Sequence, residues 1–403
     1  MADQYSQYSE PPVRHVAAVV VGSGASGIAV VGNLLERLSP DAGIVAWVDP
    51  RFQGGRINAK YREVPSNTKV STFLEYAEAV EPFRRIIETT SKPNAITTLA
   101  SLARNDTCSL RYAGDMLQML SDGLLESDRV ACYKSTVTNA EKRGASLAWS
   151  LTLQDDSRLE APMVVYCTGS EPTAIPLPPS ISQSVELLEL DVSLKPSLLS
   201  KTLPRDRDLC IGVVGASHSA ILVLMNLFSL SQDSHPRLRV LWFSRAKHLK
   251  YAEEMDGWIL YDNTGLKGTA AEFAREHLDG DRLLHRSDVG KVITRIDCFG
   301  GPDQERQAQL REFPNCDYIV QAIGYHRVHL PSMKQDITYD HETGGFIDSN
   351  TNAPLPGLFG AGIAFPERVV DPYGNVEYAV GLIKFMKFLK RVISRWEETS
   401  LKQ

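Results

Sequence analysis

Val16-Ala17-Ala18-Val19-Val20-Val21-Gly22-Ser23-Gly24-Ala25-Ser26-Gly27 sets a β-branched apolar run directly before a G-x-G-x-x-G turn. The chain continues through a helix-like stretch to a second apolar run, Ile44-Val45-Ala46-Trp47-Val48, closed by Asp49 and Pro50. Such a pattern predicts a buried strand that turns sharply into a helix and returns as a parallel strand. The three glycines act differently. Gly22 permits the tight turn, Gly24 lets the backbone approach a pyrophosphate, and Gly27 lets helix and strand pack closely. The free amides at the helix N-terminus, with Ala25 and Ser26 in the first turn, then face the phosphates. Asp49 lies 22 residues after Gly27, where an acid accepts from a ribose hydroxyl. Glycine-rich turns are common, and it is the flanking strands and the acid that make this one read as a dinucleotide site.

The pattern returns once. Leu209-Cys210-Ile211-Gly212-Val213-Val214-Gly215-Ala216-Ser217-His218-Ser219-Ala220 is again an apolar strand entering a small-residue turn, followed by a helix-like stretch and a strand at Leu238–Phe243. Ser217 and Ala220 replace two of the glycines, leaving a looser phosphate turn. The second strand ends not on an acid but on Ser244-Arg245-Ala246-Lys247. A carboxylate there repels a 2′-phosphate, whereas the Ser244 hydroxyl and the cations of Arg245 and Lys247 bind it, so the pattern favours NADP over NAD. The same cations also fit a plain solvated face. An acidic turn followed by a basic one suggests electron transfer between two nucleotides, FAD in the first and NADPH in the second.

The 403 residues, 43% hydrophobic, suffice for two or three units with real cores. A net charge of −6 with both signs interspersed argues against a nucleic-acid partner, which calls for a basic face. The six cysteines are scattered without a C-x-x-C, which indicates neither a redox disulfide nor a zinc site, and fits a reducing, cytoplasmic compartment. Residues 1–14 read as a flexible polar tail without a signal-peptide core. No apolar run approaches the ~18 residues of a membrane span.

Further motifs resemble those of flavoproteins with two dinucleotide-binding domains, and most closely the flavin-dependent monooxygenases of the FMO-like and N-hydroxylating type. Phe52-Gln53-Gly54-Gly55-Arg56 is similar to the family's paired-glycine turn beside the flavin, and Tyr61 to Lys69 to its tyrosine and Asn-Thr segment. The resemblance gives Gly55, Arg56, Asn67 and Thr68 cofactor contacts. It makes Asn67 the residue that helps position the nicotinamide and the oxygenated flavin; the residues alone also allow an Asx turn after Pro65. Met163 to Pro172, with Thr168 and Gly169, looks like the A-T-G crossover out of the FAD domain, and Cys316 to Tyr325, with Gly324, like the strand that re-enters it. Gly362, within Pro356 to Ile363, and Asn375, at the opening of a helix running to about Trp396, complete the implied set. Ile363 stands where disulfide reductases carry an aspartate, and the linker Val185 to Pro196 lacks the glycine and histidine of the Baeyer-Villiger signature.

The implied fold is α/β, with two Rossmann-like domains and the NADPH domain inserted into the FAD domain: residues 15–190 and 311–403 for FAD, 200–310 for NADPH. Between Leu74 and Val130 the apolar spacing is helical, and Val130 to Ala161 reads as hairpin strands including Leu147–Leu153. His248, His277 and His285 lack metal-ligand spacing. The implied activity is an FAD- and NADPH-dependent monooxygenase that oxidises a small metabolite at nitrogen or carbon with molecular oxygen, through a C4a-peroxyflavin. Two alternatives stay open: a flavin oxidase, dehydrogenase or reductase working without NADPH, and a non-redox flavin scaffold.

Overall fold

The computed structural model describes residues 13–143, 148–280 and 287–401; Leu147 and His285 lie outside these. Two parallel sheets organise the chain. The first has seven strands in the order Ile337–Tyr339, Gly345–Asp348, Pro354–Gly360, Val164–Tyr166, Ala18–Val21, Val45–Val48 and Val130–Tyr133. The five from Pro354–Gly360 onward run parallel. The central three, Val164–Tyr166, Ala18–Val21 and Val45–Val48, are buried throughout, as expected for strands covered on both faces, while Val130–Tyr133 at the edge is more open. The helices Ala25–Arg37, Val70–Ala77, Leu110–Leu125 and Leu382–Leu401 pack on one face around Ile28, Phe73, Leu117, Leu389 and Trp396. On the other face lies a four-stranded sheet that buries Trp149, Leu151 and Tyr166.

The strand pairing corrects two expectations. Val130–Tyr133 belongs to the large parallel sheet rather than to a hairpin, because Val45 to Val48 offers it a parallel edge. Val13–His15 pairs in parallel with Arg158–Glu160, so residues 13 and 14 are part of the folded body.

The second sheet has five parallel strands, in the order Glu186–Leu187, Tyr318–Gln321, Leu209–Val214, Leu238–Ser244 and Ile293–Asp297. All fall in sequence between strands of the first sheet. Tyr318–Gln321 pairs with Leu209–Val214 and buries Ile319 and Val320, so it is part of the second domain, and the return comes only afterwards. The outgoing strand Ser170–Pro172 and the returning strand Tyr325–Arg327 pair antiparallel as the double connection.

The C-terminus differs too. Val376–Ala379 pairs antiparallel with Glu367–Val370, and the last helix begins only at Leu382. Asp371 explains the turn: its Oδ1 accepts from the amides of Tyr373 and Asn375, and its Oδ2 from Asn375 Nδ2 at 2.7 Å. Asn375 therefore closes a hairpin turn and does not open a helix. The hairpin also ties the domains together: buried Glu377 accepts from Asn263 N at 3.0 Å and Thr264 Oγ1 at 2.5 Å, while Lys384 Nζ reaches Asp262 Oδ2 at 2.6 Å.

Candidate cofactor and active site

In both sheets the first strand of the glycine-turn unit is flanked by strands whose connections run in opposite directions, which opens a crevice at its C-terminal end. The two turns repeat in detail. Gly22 N donates to Val48 O and Cys167 N to Val21 O; in the second domain Gly215 N donates to Phe243 O and Ala322 N to Val214 O. Trp47 Nε1 donates to Gly22 O at 2.9 Å, and Trp242 Nε1 to Gly215 O at 2.7 Å. Gly22 has φ +108°, and a Cβ there would lie 2.3 Å from Cys167 O. At Gly215, φ is +132° and the corresponding distance to Ala322 O is also 2.3 Å. A side chain is therefore excluded at both positions by backbone, whatever the ligand.

Around the first turn, Asp49 Oδ2 accepts from Ser23 N at 2.8 Å, and its Oδ1 from the amides of Arg51 and Phe52. Its exposed neighbour Pro50 continues this turn. Gly24 and Gly55 meet backbone to backbone, since a Cβ on Gly55 would lie 2.6 Å from Gly24 Cα. Gly362, at φ +92°, abuts the Ser26 side chain, whose Oγ a Cβ would approach to 2.3 Å, and Ala25 O accepts from Tyr76 Oη at 2.6 Å. Gly169 lies beside Thr168 at φ +76° with open space around its Cα. The Oγ of Ser23 and Oγ1 of Thr168 are buried without a hydrogen-bond partner among the described residues. Unpaired buried hydroxyls beside a side-chain-free crevice fit a group rich in phosphate and ribityl oxygens, as a flavin dinucleotide is.

The second turn opens on a cavity of about 450 Å³ lined by Gly215, Ser217, Arg245, His248, Lys250 and Glu305, among others. Arg245 Nε is 2.9 Å from Glu305 Oε2; the arginine is 59% exposed, its partner 11%. Ser244 is buried and donates to Ala246 O, while Lys247 is exposed and outside the cavity lining. The basic residues facing the cavity besides Arg245 are thus His248 and Lys250. Gly324, at φ +109°, follows the last strand of this sheet as Gly169 follows its counterpart in the first.

A smaller cavity, of about 130 Å³, lies where the domains meet, with Asn67 and Tyr61 on one wall and His218, Ser219 and Leu222 on the other, beside Tyr325. Asn67 is exposed, and its Oδ1 accepts from Thr68 Oγ1 at 3.2 Å. Arg56 does not face open crevice: its Nη2 reaches Asp191 Oδ2 at 2.6 Å, and Nε and Nη2 both donate to Tyr61 Oη. Tyr61 Oη in turn donates to Asp191 Oδ1 at 3.1 Å. Burial, reinforced by Tyr325, raises the Tyr61 phenol so that it stays protonated. Burial, and after it Lys267, pushes His218 down to about 4, leaving a neutral imidazole at neutral pH.

Residues 19–171 match the FAD-NAD(P)-binding family. Monooxygenase AgnR1 of Paecilomyces divaricatus is 51% identical over 391 residues, covering 94% of this chain and 97% of that protein. The chain belongs to this family of FAD-NAD(P)-binding monooxygenases. As such it is a flavin-dependent oxidoreductase. The fold is also that of a flavin-containing monooxygenase from Stenotrophomonas maltophilia, with TM-score 0.51 and 12% identity over 95% of this chain and 98% of that one. OTEMO in an FAD-bound form has TM-score 0.54 and 11% identity over 96% and 98% of the two chains. No helix among the described residues is long and apolar enough to cross a membrane, and no group of three or more His, Cys, Asp or Glu among them could hold a metal.

Several residues of this monooxygenase escaped the sequence reading. The paired tryptophans carried a readable signal, since both stand in the second strand of their unit, opposite Val20 and Val213. Glu305, Asp191 and Tyr76 had none, because each reaches its partner from a distant segment.

Proposed function

We propose that the enzyme uses NADPH and molecular oxygen to insert one oxygen atom into a small metabolite, with FAD at the first turn and NADPH at the second. The observation that carries this reading is the pair of glycine turns, built alike down to their backbone and tryptophan hydrogen bonds. Bound flavin supplies a hydride acceptor and, once reduced, the activation of dioxygen. This chain's residues do the rest. The amides beginning at Ala25 and His218 hold phosphates, and Asp49 accepts from ribose. Glu305 orients Arg245 toward a 2′-phosphate, and Asn67 orients the partners where the domains meet. The buried side chains of Val64, Leu194 and Leu222, which line the junction cavity, keep water from the reacting centre.

Reduction by NADPH without oxygen, followed by turnover in ¹⁸O₂, tests the proposal. Prompt bleaching of the flavin and one labelled oxygen per product molecule is the expected result; hydrogen peroxide as the sole product would overturn it. Two substitutions refine it. Arg245→Gln removes a charge-assisted contact, so KM for NADPH should rise about tenfold while KM for NADH changes little, because charged hydrogen bonds contribute about 1.5–3 kcal/mol and this one is half open to solvent. Asn67→Ala should slow anaerobic bleaching by NADPH several-fold and divert several-fold more NADPH to hydrogen peroxide, read as the bleaching rate and the ratio of peroxide to product.

A further inference from the structure

The C-terminal hairpin of the first domain holds the second domain by one loop. Glu377 is buried, and its carboxylate accepts from three groups of that loop: Asn263 N at 3.0 Å, Asn263 Nδ2 at 3.2 Å and Thr264 Oγ1 at 2.5 Å. In return, Asn263 Oδ1 accepts from Val380 N at 3.1 Å and from Lys384 Nζ at 2.6 Å. Asp262, next in the loop, pairs with the same lysine. A buried carboxylate is costly unless it is hydrogen-bonded, so the two sides of this contact are matched to each other.

The gripped loop is also a wall of the larger cavity. Thr264 and Leu266 line that cavity beside Lys250. Backbone bonds stiffen the segment: Leu266 N donates to Lys250 O at 2.8 Å, Ala252 N to Leu266 O at 3.0 Å, and Gly265 N to Tyr261 O at 2.8 Å. Lys250 Nζ lies 4.4 Å from the centre of the Tyr261 ring, which closes the other side of the loop. Thr264 therefore lines the nucleotide cavity of one domain while its hydroxyl is bonded to a carboxylate of the other. Glu377 itself is in the lining of neither cavity. Arg56 with Asp191 and Glu63 with Ser197 also join the domains, but none of these four residues lines the larger cavity.

We propose that Glu377 is a positioning residue for hydride transfer: by gripping Asn263 and Thr264 it holds the wall of the nucleotide cavity in register with the first domain, and so the nicotinamide with the flavin. This rests on the reading of the larger cavity as the NADPH site. A stiff wall transmits a shift of its anchor, and a misplacement of about 1 Å costs about a hundredfold in rate. Affinity for the nucleotide depends on groups that stay in place, the second glycine turn and Arg245, and is spared.

The test uses the flavin-loaded enzyme. NADP⁺ affinity is measured by calorimetry, the flavin absorption change at saturating NADP⁺ by titration, and anaerobic bleaching by rapid mixing with saturating NADPH. Glu377→Ala should bleach about ten- to a hundredfold more slowly, with NADP⁺ affinity within about twofold and a diminished spectral change. Reduction by dithionite should be unaltered. Glu377→Gln, which keeps one carbonyl acceptor, should recover part of the rate. Asn263→Ala breaks the same contact from the other domain and should slow bleaching likewise; it carries the test if Glu377→Ala does not fold. Normal bleaching at saturation in both alanine variants overturns the proposal, as does weaker NADP⁺ binding with an unchanged saturated rate, or equal slowing with dithionite. An unaltered enzyme that neither binds NADP⁺ nor bleaches with NADPH overturns the reading of the cavity as well, whereas normal bleaching in the variants overturns this proposal alone.

Discussion

Gly27→Ala is expected to give a colourless protein, with a flavin-to-protein ratio less than about a tenth that of the unaltered chain. The added Cβ would lie 1.9 Å from Gly22 O and 3.5 Å from Trp47 Nε1. Neither obstacle can step aside. Gly22 is held at φ +108° by the amide bond to Val48 and by Trp47, whose indole donates to the same carbonyl. The helix Ala25–Arg37 must therefore move, and it is buried along Ile28, Val31 and Leu34 against the sheet. Overpacking of this kind costs about 3 kcal/mol or more, a large part of the ~5–15 kcal/mol that holds a domain together. Moving the helix also moves its N-terminal amides off the phosphates they would cradle, so cofactor and stability fall together. Absorption at 280 and 450 nm and a thermal melt read both; a yellow protein of unchanged melting temperature would mean that the close packing at Gly27 does not hold the flavin crevice.

What could be read from the chain alone follows the range of the interactions. Val16 to Asp49 and Leu209 to Lys247 each state a strand, a turn and a strand within 34 and 39 residues, so local pattern and final pairing coincide. Gly22, Gly27 and Gly215 stand where a Cβ would run into backbone, at 2.3 Å from Cys167 O, 1.9 Å from Gly22 O and 2.3 Å from Ala322 O, a constraint that local sequence displays. Tyr318–Gln321 was legible as a strand but not as a member of the second sheet, since its partners lie more than a hundred residues earlier. Asn375 was misplaced because Val376 to Ala379 is apolar enough to start a helix, and only the Asp371 turn and the partner strand Glu367–Val370 make it a hairpin. Side-chain partners were the least legible. That Arg56 would turn to Asp191 and Tyr61, and Arg245 to Glu305, depends on where two domains and a distant helix come to rest.

Gly215→Ala separates the two nucleotide functions that Gly27→Ala cannot. Its Cβ would lie 2.3 Å from Ala322 O and 3.3 Å from Ala220 Cβ, and alanine at φ +132° is strained whatever the space. The strain is confined to the second sheet, where Gly215 is braced by the Phe243 carbonyl and the Trp242 indole. The first crevice, with Asp49, Ser23 and Thr168, is built from other strands. The variant should thus stay yellow, with an unchanged flavin ratio, while anaerobic bleaching by NADPH slows about a hundredfold or more, consistent with about 3 kcal/mol of lost positioning. Dithionite, which needs no nucleotide site, should still reduce it at the normal rate. Equal slowing with dithionite, or loss of flavin, would place the damage in the first crevice and show that the two turns fold as one unit. Reduction by NADPH at the normal rate would instead mean that hydride reaches the flavin without this turn, and would leave direct oxidation of the substrate by flavin as the working reaction.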